Sequence, residues 1–460
     1  MRVLRLPGRP IWVVAIVLGF ALLVPAIALA HQALRFSEPH AEAVVEVVPD
    51  TLRLTFYEPL RMEFTQVEVE GPQGRLALGE LRTAADEPEL LLVPIEAGWH
   101  AGEIEVRWRT VGADGHPSSG SFSFEVPEGT QGLPVEAEPA PPPVEEGALG
   151  DVQRLEPQSP VYAAIRWITF VALIAMIGAV VFRGGVLPRV RRRLDAGGSL
   201  VVAGSRRAAG VGIAAALLLL VAGIVRLWAQ TAALHSPAEA ISPAAWAAAL
   251  GLQPWGAGWW LQMGAALAGA VCFAVARRGS RAGWVGGGLA AVVAATTPAL
   301  SGHAAAASGT AIAVDTLHVL GAGGWVGGLA LLLVAGIPAA RGLDRGHRGP
   351  AVAALVHGFS PIALGFAALV VATGVGSAWI QLGVLPNLWT SGYGRTLLLK
   401  LVLVAGVFGM GAYNNLKVRP SLGDEAGGTR IRTSGTLEFL LALAVLVVTA
   451  VLVATPPPTY

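Results

Sequence analysis

Two hydrophobic patterns divide the chain. From residue 160 to residue 455, apolar positions run almost unbroken in eight segments, near 161–182, 206–228, 258–276, 283–300, 311–337, 353–376, 396–416 and 436–454. Each is close to the twenty residues a helix needs to cross a hydrocarbon layer of about 30 Å. The pattern therefore predicts an all-α polytopic membrane bundle of about eight spans. Residues 31–126 follow the other pattern, apolar at every second position: TLRLTFY (51–57), QVEVEG (66–71), ELLLVPI (89–95), GEIEVRW (102–108) and SFSFEV (121–126). In GEIEVRW, Ile104, Val106 and Trp108 share one face and Glu103, Glu105 and Arg107 the other. Short alternating runs separated by Gly and Pro predict strands, and a small all-β two-sheet sandwich or barrel.

The remaining stretches connect these two parts. Residues 127–159 (PEGTQGLPVEAEPAPPPVEEGALGDVQRLEPQS) are rich in Pro and Glu and read as a semi-stiff linker. Residues 1–30 begin with Arg2, Arg5 and Arg9, continue with an apolar run from Ile11, and end in Ala28-Leu29-Ala30. That order predicts a secretory signal peptide, the alternative being an uncleaved first helix. Cleavage after Ala30 would make His31 the amino terminus.

Charge sharpens the division. Only 14% of the 460 residues are charged, against about 25% in ordinary soluble domains. The net charge of +1 hides an acidic domain, with 17 Asp/Glu against 7 Lys/Arg in residues 31–126. Loops after the first, third, fifth and seventh segments hold 17 Lys/Arg, whereas the opposite loops hold one, Arg395. Basic loops stay cytoplasmic, so the β domain is expected on the extracellular or periplasmic side of the cytoplasmic membrane. The loop from 229 to 257 reads as containing a surface helix outside the membrane. The single cysteine, Cys272, excludes an intramolecular disulfide and a thiolate metal cluster.

Two constellations carry candidate chemistry. A processed His31 would offer its α-amine and imidazole to one metal, and VGADGHPSSG supplies Asp114 and His116 across a glycine. Nitrogen-rich ligation with a nearby carboxylate suits Cu(II); the competing reading of ADGH is a plain polar turn between strands. The second constellation lies in the membrane. Asp315 and His318 are three residues apart on one helical face, with Trp325 seven residues further on. By the assigned orientation His318 lies about 10 Å inside the outer end, near His303 and His235. Ionisable groups at such depth are costly and usually functional, although Asp315 and His318 satisfying one another or a carbonyl inside the bundle is the structural alternative. Gly321, Gly324 and Gly328 should let a neighbouring helix approach closely. His357 reads as a packing or interfacial residue, Arg395 and Lys400 as side chains reaching the outer interface, and Asn414 and Asn415 as cross-helix bonds or caps. Met176, Met263 and Met410 are scattered and form no thioether path.

HQALRFSEPHAEAVVEVVPDTLRLTFYEPL and VRWRTVGADGHPSSGSFSFEV make residues 31–126 resemble the CopC family of periplasmic copper-binding proteins. VDTLHVLGAGGWVGGLALL, FSPIALGFAALVVATGV and YGRTLLLKLVLVAGVFGMGAYNN make residues 160–455 similar to the CopD family of copper-resistance membrane proteins. Together they resemble the fused, YcnJ-like CopC–CopD importers. The resemblance implies a Greek-key sandwich holding one Cu(II) through the His31 amine and ring, His116 and, more weakly, Asp114. A Met-rich Cu(I) site of some relatives has only Met62 here, and His100 stands where relatives often carry an aromatic residue. The membrane half would receive copper at His318, with Asp315 and His303 beside it, and Cu(I) is the candidate form there.

The expected function is copper binding and transport for uptake or homeostasis, with copper ions, the bilayer and a reductant or cytosolic acceptor as partners. The alternative is a membrane-anchored sequestration, resistance or sensing module. A haem-based redox role is disfavoured, because His318 and His357 sit at opposite depths without a matched pair on a second helix. No Walker A, HExxH, GxSxG or CxxCH motif and no nucleic-acid patch occurs, so the chain reads as a non-enzyme without nucleotide or nucleic-acid partners.

Overall fold

The computed structural model describes residues 34–57, 59–111, 117–131, 159–194, 197–235, 239–301, 308–421, 425–455 and 458. The alternating region forms nine strands, β1 (Leu34–Glu38), β2 (Thr51–Phe56), β3 (Gln66–Gly71), β4 (Gly74–Arg75), β5 (Ala77–Leu78), β6 (Arg82–Ala84), β7 (Glu87–Ala97), β8 (Gly102–Val111) and β9 (Pro117–Val126). They make two antiparallel sheets, ordered β1-β2-β7-β5 with β6 also on β7, and β4-β3-β8-β9. All five runs expected from alternation are strands; β1 and the short β4 to β6 are additions. Those four carry too few alternating positions to stand out in sequence.

Alternation puts one face of each sheet into a shared core. Leu52, Leu54, Leu91 and Val93 from one sheet meet Ile104, Val106, Trp108 and Phe124 from the other. Phe56 meets Trp108 edge-on, ring centroids 5.0 Å apart. The outer face of β8 is charged: Arg107 pairs with Glu70 on β3, its cross-strand neighbourhood in the β3–β8 register. Gly120 lies opposite Trp108 in the β8–β9 pairing, and a Cβ there would sit 2.7 Å from the indole. The glycine of the PSSGSFSF segment is therefore a packing requirement of the buried tryptophan. The sandwich also runs past Val126, since Val48 donates to the Gln131 carbonyl at 2.9 Å.

Among the described residues, eight helices are long and apolar enough to cross a membrane: Pro160–Arg191, Gly198–Leu234, Trp255–Arg277, Arg281–Ser301, Gly309–Arg341, Arg345–Leu382, Gly392–Val418 and Thr429–Leu452. They are called here the first to eighth spans. Several extend beyond the apolar segments into flanking basic residues, because hydropathy marks only the lipid-facing stretch while backbone hydrogen bonding continues the helix. The first span starts at a capped turn, with the Tyr162 amide donating to Ser159 Oγ at 3.3 Å. The loop after the second span contains a short helix, Pro243–Gly251, separate from the spans.

The fifth span is the hub. On one side a Cβ at Gly327 would lie 2.1 Å from the Ile174 carbonyl oxygen of the first span. On the other, added Cβ atoms at Gly321, Gly324 and Gly328 would meet Val370, Phe366 and Phe359 of the sixth span. Small residues thus bring three helix backbones together, where lipid gives apolar surfaces little reason to associate. Close packing is accompanied by π-helical turns at Phe182–Val186, Gly323–Gly327, Leu332–Gly336 and Asn414–Val418.

The sandwich rests on one end of the bundle, called here the near end. Val111 at the end of β8 is fully buried against Leu227, Leu234, Leu252, Trp255 and Trp259, with Phe64 alongside. Arg61 adds a hydrogen bond from Nη2 to the Gln253 carbonyl, 3.1 Å. Overpacking at the Trp108 contact should be costly: Gly120→Val should destabilise the sandwich by about 1–3 kcal/mol, read as a lowered β-domain transition in thermal unfolding of the full-length protein, with the helical transition unchanged.

Candidate metal centre

Of the β-domain candidates, His31, Asp114 and His116 lie outside the described residues. Their flanks are informative. Residues 112–116 connect β8 to β9, whose Val111 and Pro117 are paired. Leu34, three residues after His31, pairs with Phe56, and Phe56 packs on Trp108 near the end of β8. Leu34 and Val111 therefore mark the same end of the sandwich, and that end is docked on the bundle. His100 precedes β8 at its opposite end, about 30 Å away along a ten-residue strand. His40 is exposed. Neither belongs to the docked end.

Beneath that end, His235 closes the second span, with its amide donating to the Thr231 carbonyl at 2.8 Å. Its ring Nε2 is buried and has no hydrogen-bond partner among the described residues. The adjoining Leu234 belongs to the cluster that receives Val111.

The membrane pair lies further in. Asp315 and His318 both face the sixth span, about 9 and 14 Å along the fifth span from Gly309. Ser377 donates its hydroxyl to Asp315 Oδ1 at 3.0 Å, and His318 Nδ1 lies 3.0 Å from Thr373 Oγ1. The Thr373 hydroxyl proton is committed to the Leu369 carbonyl, 2.7 Å away. Its oxygen therefore accepts from His318, which puts a ring proton on Nδ1; the ring also bonds to the Val370 backbone. A ligating histidine is commonly oriented this way, through the nitrogen that does not bind metal. The side chains of Asp315 and His318 each bond to the sixth span, Asp315 to Ser377 and His318 to Thr373 and the Val370 carbonyl. They therefore do not bond to one another, while the bond to a bundle carbonyl allowed by the structural alternative is present.

Lys400 of the seventh span is the residue sequence reasoning misplaced. Its depth, about 12 Å from Gly392, matches that of His318, and its ammonium acts electrostatically on both Asp315 and His318. The expected reach to the interface is corrected to a position facing the acidic side chain. The signal was present: Lys400 is about one helical turn beyond the start of an apolar segment. His303 lies outside the described residues, and among the described residues no group of three or more His, Cys, Asp or Glu could hold a metal ion. Asp315 and His318 thus place one carboxylate and one imidazole against the sixth span.

A second polar site, unmarked in the sequence reading, occupies the far half of the bundle. Glu438 of the eighth span is 6% exposed and accepts from Asn414 Nδ2 at 2.7 Å. The Asn414 bond is the cross-helix contact its position suggested. Glu438 was detectable as the lone acid in TLEFLLALAV. His357 lines the same region, far from His318, which leaves the two without a shared site.

Comparisons with known proteins agree with this two-part architecture. The CopC domain family matches residues 34–127. The copper resistance protein D-like N-terminal domain matches 156–314, and copper resistance protein D matches 353–452. Copper transport protein CutJ of Bacillus subtilis (strain 168) is 25% identical over 455 residues, covering 96% of this chain and 77% of CutJ. Copper resistance protein C of Escherichia coli is 31% identical over 107 residues, 22% of this chain and 83% of that protein. The crystal structure of PcoC, a copper resistance protein from Escherichia coli, is 26% identical, with 20% of this chain and 97% of PcoC covered and a TM-score of 0.19.

The hydroxyl that orients His318 is testable. Thr373→Val should weaken copper binding attributable to the membrane half by about 10–100-fold, measured by equilibrium titration of the full-length protein in detergent, with little change in folding.

Proposed function

Because the chain belongs to the fused CopC–CopD family of copper resistance and transport proteins, we propose that it captures copper in its β domain and moves the ion inward across the cytoplasmic membrane. The observation that carries this reading is the docking of the sandwich. The end marked by Leu34 and Val111 lies on the second and third spans, and those two residues flank the expected ligands in sequence.

In this reading His31, Asp114 and His116 hold Cu(II) on the extracellular or periplasmic side. The α-amine and imidazole of His31 form a chelate, His116 supplies a second imidazole, and Asp114 is the weaker oxygen ligand. Nitrogen donors suit Cu(II), and a tethered carrier keeps the local ion concentration high at the bundle. The ion passes by ligand exchange to the near-end histidines, with His303 as the loop ligand, and then to Asp315 and His318. Two features support His318 as the acceptor: its Nε2 is free of the Thr373 bond, and Asp315 supplies negative charge one turn away. The ammonium of Lys400 lies close enough to Asp315 to act on it electrostatically without forming an ion pair, so an arriving cation has no formed pair to break there. A reductant on the outer side and a cytosolic acceptor complete the path, with Cu(I) the form that imidazole carries inward.

The 17 Lys/Arg in the far-end loops against one in the near-end loops support the orientation. The acidic β domain favours cations over nucleic acid.

Two measurements test the reading. Copper uptake into proteoliposomes should fall at least tenfold in His318→Ala; uptake equal to the parent would remove His318 from the path. Copper bound by the parent without uptake would leave sequestration as the function. One residue added before His31 should abolish the amine–imidazole chelate and simplify the nitrogen hyperfine pattern of bound Cu(II). An unchanged spectrum would mean that the α-amine is no ligand.

A further inference from the structure

The far half of the bundle holds a carboxyl group for which the copper path has no use. Glu438 lies about 14 Å along the eighth span from Thr429 and is 6% exposed. Its partners are neutral donors: Asn414 Nδ2 at 2.7 Å and the indole of Trp325. None of the ion pairs Arg53–Glu38, Arg75–Glu68, Arg107–Glu70 and Arg107–Glu105 involves Glu438. A carboxylate at such depth, held by neutral groups alone, requires a compensating positive charge.

The hydrogen-bond count identifies the charge. Asn414 is 9% exposed, and its Oδ1 is buried with no donor. An ionised carboxylate cannot supply one. A protonated carboxyl can, since it carries one O–H donor beside the oxygen that already receives the amide N–H. Turning the amide over brings two oxygens to the same 2.7 Å separation, which again needs a hydrogen between them. Either amide orientation calls for one proton on Glu438.

There is also a route for that proton. Glu438 and Asn414 line a cavity of about 550 Å³ shared with Trp325, His357, Pro361 and Arg419. Trp325 and Asn414 each sit within a π-helical turn, a distortion often found at functional sites. Pro361, inside the sixth span, lacks the N–H that would otherwise pair with the His357 carbonyl. That leaves an acceptor for water on the cavity wall. The charged and titratable groups lining it are His357 from the sixth span, Arg193 after the first and Arg419 after the seventh; the eighth span contributes Glu438 itself.

We propose that Glu438, with Asn414 as its hydrogen-bonding partner, is a proton-binding site served from the far end of the bundle through this cavity. Uptake of one proton from cavity water converts the carboxylate to a neutral carboxyl hydrogen-bonded to Asn414, and release reverses the step. Trp325 stands two helical turns, about 10 Å, beyond His318 on the fifth span, so the protonation state of Glu438 acts on the helix that carries the proposed copper ligands. The coupling to copper rests on the transport reading; the proton site does not.

Infrared difference spectra between acidic and alkaline buffer test it on the full-length protein in nanodiscs, in an Asp315→Asn background that removes the other membrane carboxyl. A carboxylic C=O band is expected at acidic pH, absent in Glu438→Gln and shifted in frequency in Asn414→Leu. The second variant keeps the carboxyl if the first fails to fold. Spectra of Glu438→Gln that retain the band, or of Asn414→Leu that leave it unshifted, overturn the assignment. Copper stoichiometry is measured in parallel. An unchanged value in Glu438→Gln is expected, and loss of one ion would make this a metal site instead. Absence of copper uptake in the parent would count against transport while leaving the infrared result intact.

Discussion

A polar side chain inside a hydrocarbon layer must find its partners within the protein, because no water competes for it and none relieves it. That constraint organises the membrane half of this chain. Asp315, His318, Lys400, Asn414 and Glu438 are spread over three spans, yet Asp315 and His318 bond to the sixth span and Glu438 to the seventh. Such bonds need helix axes close enough for short side chains to meet. The fifth span supplies the closeness through glycine: Gly327 against the first span, and Gly321, Gly324 and Gly328 against the sixth. One helix thereby brings two polar sites, at different depths, into contact with different neighbours.

The same helix explains why the sites are distinct. Its near-end part presents Asp315 and His318 to Ser377 and Thr373, while its middle presents Trp325 to Phe408 and Glu438. About 10 Å of helix separates His318 from Trp325, too far for shared ligands and close enough for one rigid element to feel both. The fifth span also carries two π-helical turns, so its backbone departs from regular α-helix where it passes the cavity. An element with two packed faces and local distortion is suited to having two arrangements, the requirement for linking ion movement to another equilibrium.

The β domain is joined to the bundle in two ways. The linker tethers it covalently, and Val111, Phe64 and Arg61 dock it. The docking surface is largely apolar, with the Arg61 hydrogen bond to the Gln253 carbonyl at its side, whereas the exposed faces of the sandwich carry the acidic charge. Contact and electrostatics are thus assigned to different surfaces: an apolar end touches the bundle, and acidic faces meet the solvent from which cations arrive.

Much of the architecture is legible in the sequence because it follows from local periodicity. Alternation marks the five longer strands, and uninterrupted apolar length marks all eight spans. Even the glycine face of the fifth span is visible, since helical spacing alone puts Gly321, Gly324 and Gly328 together. The short strands β4 to β6 are not visible, because two or three residues carry no period. Lys400 and Glu438 illustrate the larger limit. Each is evident as a charge in an apolar run, but a single helix does not say what its side chain faces. Lys400 reads as interfacial until the fifth span is placed beside it, and Glu438 has no partner until Asn414, 24 residues earlier, is folded against it. Sequence alone determined the spans, the longer strands and their apolar faces, since these depend on neighbours along the chain. Tertiary structure alone decided which polar groups meet across helices and which end of the sandwich touches the bundle, because those contacts depend on how separately formed elements pack.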